Sequence, residues 1–230
     1  RSGFESAPAT PPWAHLGYVL QHDEQRFGLF VTGHVPFGAG LQWPETWTGR
    51  FEVTAVSLRV YEAAANAVYG ITLNDDVELG VGGQFRLLRG TFELARRIDT
   101  VSDEATVALG GHGNASAYGA SLFGRVGGLT AGANLRSGVS LPIDGSAHFD
   151  NVPVELSGPA HDQRFTTSFE LPARFAFGAA YDLGFGTPSV DLELFAWSRV
   201  EAFAIDFADA ETPDVSQPRD YRDTLALRVG

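Results

Sequence analysis

The chain of 230 residues has no cysteine, no methionine and no lysine, so all 16 of its basic residues are arginines. Without cysteine, a disulfide framework, a thiolate metal site and a cysteine nucleophile are all excluded. The 28 acidic residues leave a net charge of -12, and a chain this acidic is a poor partner for a nucleic-acid backbone. The start, Arg1-Ser2-Gly3, carries neither an initiator methionine nor a signal peptide, which predicts a processed chain or a piece of a longer one.

Long hydrophobic runs are also absent. No run of eighteen or more apolar residues occurs, so a transmembrane helix is excluded. An outer-membrane β-barrel is not excluded, because its strands place apolar residues at alternate positions only and the mean hydropathy stays low.

Apolar residues do alternate with polar or small residues over long stretches. A side-chain period of two predicts β-strands, and no helical period fits these stretches. Several continue for a dozen residues or more, which exceeds the ~5 to 6 residues of globular strands and is enough to cross a bilayer. The clearest stretches are residues 165–183, 129–143, 77–87 and 190–196, with shorter ones at 27–35 and 221–229.

The predicted breaks between strands alternate in length, as they do in outer-membrane barrels. We therefore predict an all-β fold, an antiparallel up-and-down transmembrane β-barrel with about nine strands, formed by residues 1–230 as one region without a domain boundary. Short turns are predicted at residues 74–76 and 127–128, and long loops at residues 99–113, 150–163 and 206–220.

Charged residues lie on the parity opposite the apolar stripes. On a membrane barrel they are expected to face the lumen, because an arginine on the lipid side at the bilayer midplane costs ~2 to 4 kcal/mol. Inside, they would pair across strands and stiffen the wall. The residues with this prediction are Glu78, Arg86, Arg136, Glu170, Arg174, Asp191, Glu193, Arg199 and Glu201.

The most unusual segment covers residues 35–51. Pro36 removes a donor from the strand ladder and two glycines follow it, so the strand is predicted to kink, bulge or stop there. Two interpretations are open. The segment is either a strand end with an interfacial aromatic girdle, or a kink that opens the barrel wall, with aromatic residues lining the path of an apolar ligand.

Residues 36–50, with Pro-Phe-Gly followed by Trp-x-x-x-Trp-x-Gly-Arg, resemble the FadL/TodX family of outer-membrane transporters for long-chain fatty acids and other hydrophobic compounds. Other segments agree with that family in order along most of the chain. They are residues 66–83, residues 118–149 with Leu135-Arg136-Ser137, Leu171-Pro172, residues 197–203 and residues 221–224.

The resemblance implies a monomeric 14-stranded barrel, an even number as in other bacterial barrels, plugged by an N-terminal hatch. It also implies sideways release of a hydrophobic ligand into the membrane, through a gap beside an inward strand kink. The family's basic residues near the ligand carboxylate fall close to Leu94 and Gln217, where solvated loop charges are the alternative interpretation. The candidates are Pro36, Phe37 and Gly38 for the kink, Trp43, Trp47, Arg50 and Phe51 for the ligand path, and Arg96, Arg97 and Arg219 for the carboxylate.

This chain departs from the family pattern in two respects. It lacks the hatch with its Asn-Pro-Ala motif, and it lacks the last strands with their terminal aromatic residue. We therefore predict that the chain is the middle of a larger barrel and forms a curved, incompletely closed sheet.

The expected function is passive, porin-like transport of fatty acids or aromatic hydrocarbons across the bacterial outer membrane. The expected partners are a hydrophobic small molecule and outer-membrane lipids, with no nucleic acid, cofactor, metal or catalysis. Neither a Gly-x-Ser-x-Gly elbow nor a P-loop occurs, and the six histidines lack the spacing of a zinc site. The alternatives are a barrel lipase, a soluble lipocalin-like ligand-binding barrel and an adhesive or structural barrel.

Overall fold

The computed structural model describes residues 13–100 and 104–230, and its regular structure is almost entirely antiparallel β-strand. Two short 3₁₀ helices, at Val154–Leu156 and Trp197–Arg199, are the exceptions among these residues. The strands are β1 (Ala14–His22), β2 (Gln25–Gln42), β3 (Ala55–Asn74), β4 (Val77–Asp99), β5 (Glu104–Val126), β6 (Leu129–Arg136), β7 (Val139–Asp150), β8 (Gln163–Leu171), β9 (Arg174–Tyr181), β10 (Ser189–Phe195), β11 (Ala202–Phe207), β12 (Val215–Pro218) and β13 (Thr224–Val229).

All thirteen strands belong to one sheet, in which β1 to β5 are neighbours in chain order. After β5, each pass of the chain across the sheet is divided into two short strands that lie end to end. The strands of one half lie side by side in the order β6, β9, β10 and β13, and those of the other half in the order β7, β8, β11 and β12. The thirteen strands therefore make nine antiparallel passes, the last four of which are interrupted midway. This confirms the predicted all-β, up-and-down architecture with about nine strands.

The sheet is curved and does not close. Phe92 on β4 packs against Phe203 on β11 with ring centroids 6.0 Å apart, although β5, β7 and β8 separate the two strands in the sheet. Such a contact requires the sheet to curl so that its inner face meets itself. Among the described residues, β1 pairs with β2 alone and does not reach the last pass.

The predicted turns and loops are correct in part. The short turns at 75–76 and 127–128 are present, and residues 151–162 form a loop with one 3₁₀ turn. The predicted loop at 99–113 is wrong, because β5 begins at Glu104 and pairs with β4 from there onward. Residues 101–103 of that stretch lie outside the described residues. The stretch 206–220 also contains a short strand, β12.

The apolar face of the sheet changes sides at mid-height. We call the half with the turns at 75–76 and 127–128 the lower half, and the half with the long loops the upper half. In the lower half of β4, Leu87 on the outer face is 56% exposed while Arg86 on the inner face is 5% exposed. In the upper half of β4, the inward residues Leu88 and Phe92 are buried and apolar, and the outward residues Arg89 and Glu93 are charged and exposed.

Neighbouring strands reverse at the same level. On β3 the inward residues change from Glu62 to Val60, and on β5 the outward residues change from Tyr118 to Ser116. The upper half therefore has an apolar interior and a polar exterior, whereas the lower half has the opposite arrangement.

Interruptions in the chain produce the same reversal in other passes. The predicted continuous stripe over 165–183 is broken after Leu171, so Phe165 and Phe169 face inward while Phe175 and Phe177 face outward. The prediction that Glu170 faces inward is therefore wrong, because the Glu170 side chain lies on the other face of β8 from the buried, inward residues. Arg199 and Glu201 lie exposed in the break between β10 and β11, outside the strands, so strand alternation does not set the direction of their side chains.

Candidate functional site

The upper half encloses a cavity of about 390 Å³, which we call the upper chamber. It opens between β4, β5, β7 and β11 and is covered by the loop residues Leu156, Pro159 and Ala160. Most of its lining is apolar, and the strand residues that contribute include Leu94, Ile98, Val107, Leu109, Phe149 and Ile205. A concave, largely apolar cavity of this size fits a small hydrophobic molecule.

A cluster of phenylalanines adjoins the chamber. Phe92 is 2% exposed and lies 5.1 Å from Phe169 and 6.4 Å from Phe165, between ring centroids. Phe203, which lines the chamber, stands 5.5 Å from Phe169. These tilted and edge-to-face contacts join β4, β8 and β11 across the interior and make the chamber wall a packed structure.

Arg96 faces the upper chamber and, among the described residues that line it, Arg96 alone is basic. Its guanidinium has neither a hydrogen bond nor an ion pair with any described residue. The acidic lining residues, Glu52 and Asp214, are exposed, and Asp214 accepts a hydrogen bond from the Phe207 amide at 2.8 Å. The chamber thus presents one guanidinium without a described ion-pair partner, within a lining that also carries two exposed carboxylates.

The two other arginines predicted to meet a carboxylate lie elsewhere. Arg97 has the opposite parity and donates to Glu45 at 2.7 Å and to the Thr106 hydroxyl at 2.9 Å. Arg219 is exposed and donates to Gln217 at 3.1 Å. Of the three candidates, the geometry brings Arg96 alone into the chamber.

Arg50 and its aromatic neighbours fasten the segment between β2 and β3. The Arg50 Nε donates to Glu104 at 2.9 Å, and its guanidinium lies 4.3 Å from the centre of the Phe51 ring. This ion pair lowers the pKa of Glu104 below its ordinary value and raises the pKa of Arg50. Trp43 and Trp47 stack with ring centroids 5.4 Å apart. None of these four predicted path residues lines the upper chamber.

Pro36 lies in a β-bulge. The register between β2 and β3 pairs His34 with Glu62 and Phe37 with Val60, so Val35 and Pro36 together face Tyr61. The strand does not stop there but continues to Gln42, so the predicted bulge is present and β2 ends inside the segment 35–51. Below the bulge the odd-numbered residues face outward, and above it they face inward.

The bulge lies where β2 loses one of its neighbours. β1 pairs with β2 up to Gly33, and above that level β2 has no partner on this side among the described residues. Phe37 turns inward against the buried cluster, while Gly38 is exposed on the outer face. Pro36, Phe37 and Gly38 therefore border a strand edge that has no partner within residues 13–100 and 104–230, just above mid-height.

Below the chamber, each of three inward carboxylates is held by two arginines. Glu62 is fully buried and accepts hydrogen bonds from Arg86, at 2.7 Å, and from Arg136. The others are Glu78 with Arg26 and Arg125, and Glu193 with Arg174 and Arg228. The predicted cross-strand pairing of Glu78, Arg86, Arg136, Arg174 and Glu193 is confirmed.

Residues 13–100 and 104–230 contain neither a cluster of metal-ligating side chains nor a helix able to span a membrane. No group of three histidine, aspartate or glutamate side chains there could hold a metal ion. No helix in this part of the chain has the length and apolar character needed to span a membrane.

No family model matches the chain, and no curated protein matches it in sequence. Solved structures do match. A Pseudomonas aeruginosa FadL homologue superposes with a TM-score of 0.73 over 95% of this chain at 14% identity. The toluene transporters TbuX of Ralstonia pickettii and TodX of Pseudomonas putida superpose with TM-scores of 0.65 and 0.64, each over 94% of the chain at 15% identity. The chain has a FadL-type fold.

The FadL-type fold confirms the resemblance seen in the sequence at the level of architecture. The chain covers 55% of the FadL homologue, 63% of TbuX and 62% of TodX, so it spans less than two thirds of each. Sequence reasoning missed the upper chamber as a site, although the change of apolar parity along residues 77–98 was its readable signal.

Proposed function

We propose that this chain forms part of an outer-membrane β-barrel that passes hydrophobic molecules without changing them chemically. The observation that carries the proposal is the reversal of the apolar face at mid-height. An apolar outer face suits contact with lipid, and an apolar inner face suits contact with an apolar ligand. The outer face is apolar in the lower half of the sheet, and the inner face is apolar in the upper half.

The lower half has the dimensions and chemistry of a membrane-spanning segment. On β4 the outward residues Leu79, Val81, Phe85 and Leu87 are all exposed. The stretch 77–87 matches the ~9 to 11 tilted residues that cross the hydrocarbon core. The paired carboxylates and arginines face inward at this level, where they avoid lipid. A lipocalin-like barrel in water would leave this apolar belt exposed, so the arrangement disfavours that alternative.

The upper chamber would hold the ligand. Burial of an alkyl chain contributes roughly 0.8 kcal/mol for each CH₂ group, which makes apolar contact the main source of affinity. Arg96 adds one cationic contact within this apolar lining. The substrate class favoured by this combination is an amphiphile with an anionic head and an apolar tail, such as a long-chain fatty acid, over an uncharged aromatic hydrocarbon.

The exit would be lateral, at the bulge of β2. Val35 and Pro36 displace the strand where its β1 side is unpaired among the described residues, and Gly38 leaves the outer face there without a side chain. A ligand leaving the chamber past Phe37 would reach the outer surface at the upper edge of the apolar belt. The protein would act as a monomer in the bacterial outer membrane, because one barrel contains the chamber, the wall and the exit.

Uptake by cells tests the proposal. We expect cells that express the full-length protein to take up labelled long-chain fatty acid faster than cells without it. Leu109 lines the chamber and is 5% exposed, so Leu109→Asp places a charge in the apolar site and should return uptake to background. Leu109→Met keeps the volume and should retain uptake. Equal uptake by both variants, with both present in the membrane, would contradict the proposal.

A further inference from the structure

Two arginines on the outer face of the sheet stand directly above the apolar belt. Arg59 on β3 and Arg89 on β4 are both exposed, and their register places Arg59 opposite Thr91 and Arg89 opposite Tyr61. They are diagonal neighbours on one face, with Cα atoms about 7 to 8 Å apart in such a pairing. Two long side chains at this spacing can reach one common anion.

Neither arginine is neutralised within the described part of the chain. Neither Arg59 nor Arg89 has an ion pair or a side-chain hydrogen bond with a described residue, and Glu93 on the same face of β4 binds neither. This contrasts with the lower lumen, where every carboxylate of the three clusters holds two arginines. In a chain with a net charge of -12, two adjacent unpaired cations are a local exception.

The surroundings suit a lipid headgroup. Tyr61 and Leu87, immediately below the arginines, are 44% and 56% exposed and form the upper edge of the apolar belt. Beside Arg59, the facing residue of β2 is Gly38, which leaves its guanidinium uncovered on that side. Asn114 of β5 lies opposite Arg89 and adds a polar side chain to the same row. Aromatic rings and cations at this height are typical of the boundary between hydrocarbon and headgroups.

We infer that Arg59 and Arg89 bind a phosphate group of the outer-leaflet glycolipid, with its acyl chains lying along the belt below. Guanidinium groups bind phosphate through short, charge-assisted and often bidentate hydrogen bonds, and this geometry fixes position as well as charge. The inference rests on the proposed location in the outer membrane. It concerns a lipid held at the outer surface, not the transported ligand.

Lipid titration of the full-length protein in detergent tests this site. Native mass spectrometry would measure binding of bisphosphorylated lipid A and of the same lipid without its phosphates. We expect lipid A to bind, the dephosphorylated form to bind at least tenfold more weakly, and Arg59→Gln/Arg89→Gln to weaken lipid A binding by at least tenfold. Arg59→Lys/Arg89→Lys should retain an intermediate affinity.

Arg164→Gln is the matched control. Arg164 is also exposed and without a described acidic partner, but it lies seven residues from Leu171 on β8, about 20 Å further from mid-height. We expect this variant to bind lipid A as the parent does. Equal binding by the double glutamine variant, equal binding of the dephosphorylated lipid, or inorganic phosphate binding as tightly as lipid A would each overturn the inference. Fatty acid binding measured on the same samples reports separately on the proposed transport function, because neither arginine lines the upper chamber.

Discussion

Replacing Arg96 with glutamine separates the two contributions to ligand affinity in the upper chamber. Arg96 is the one basic residue among the described residues of the chamber lining, and no described residue neutralises it. Its guanidinium is therefore free to form a charge-assisted hydrogen bond with a fatty-acid carboxylate. Such a bond contributes about 1.5 to 3 kcal/mol, which corresponds to a factor of roughly 10 to 100 in the dissociation constant.

The assay is a ligand titration of the full-length protein in detergent, with a long-chain fatty acid and with the alkane of the same length. Arg96→Gln should weaken fatty acid binding by roughly 10-fold to 100-fold and leave alkane binding unchanged, because the apolar lining is intact. Arg97→Gln is the matched control, since Arg97 is the next residue and binds Glu45 and Thr106 instead. An equal loss in both variants, or an equal loss for both ligands, would refute the role of Arg96.

Three further predictions concern the wall, the bulge and the outer loops. Glu62→Gln removes a fully buried charge shared by Arg86 and Arg136, and should lower the free energy of unfolding by about 3 to 5 kcal/mol. Denaturant titrations measure this change, and an unchanged midpoint of unfolding would show that the two ion pairs do not stabilise the wall. Deleting Pro36 removes the extra residue of the bulge and leaves Val35 alone opposite Tyr61, so we expect β2 to run past this level without a bulge and fatty acid uptake to fall, while undiminished uptake would exclude the bulge from the exit path. Because the pKa of Glu104 is lowered from 4.5, its pairing with Arg50 should persist above pH 4.5 and be lost as the pH falls through the lowered value. Compared at the same pH, the parent should be cleaved after Arg50 more slowly than a Glu104→Gln variant above pH 4.5, and the difference should vanish below the lowered value; a difference that does not change with pH would contradict the pairing.

Much of the lower half was predictable from sequence, because the proposed contact with lipid imposes a simple rule on it. Outward residues must be apolar, so the alternation along residues 77–87 and 190–194 was enough to predict both the strands and which side chains face outward. The same rule predicted that Arg86, Arg136 and Glu193 face inward, where they form ion pairs. Pro36 marked the bulge because it cannot donate to the ladder.

The upper half was harder to predict because, in the proposed membrane orientation, water surrounds it. Its outer residues need not be apolar, so β5 from Thr106 to Ser116 shows outward polar residues and was predicted in part as a loop. The apolar stripe over 165–183 looked continuous because apolar residues keep the odd-numbered positions throughout. The break at Pro172 turns the chain so that odd-numbered side chains face inward in β8 and outward in β9, which the hydrophobic pattern does not show. The isolation of Arg96 and the pairing of Arg97 depend on distant strands and loops, which local alternation does not encode.

Protection of an introduced cysteine shows directly whether a fatty acid occupies the upper chamber, since the sequence has no cysteine of its own. Leu109→Cys places a thiol in the upper chamber, and Val81→Cys places one on the apolar belt, where Val81 is 52% exposed. In a full-length protein without other cysteines, we expect a saturating long-chain fatty acid to slow labelling at position 109 and to leave labelling at position 81 unchanged. Labelling at position 109 that is unaffected by the fatty acid would show that the upper chamber does not hold the ligand.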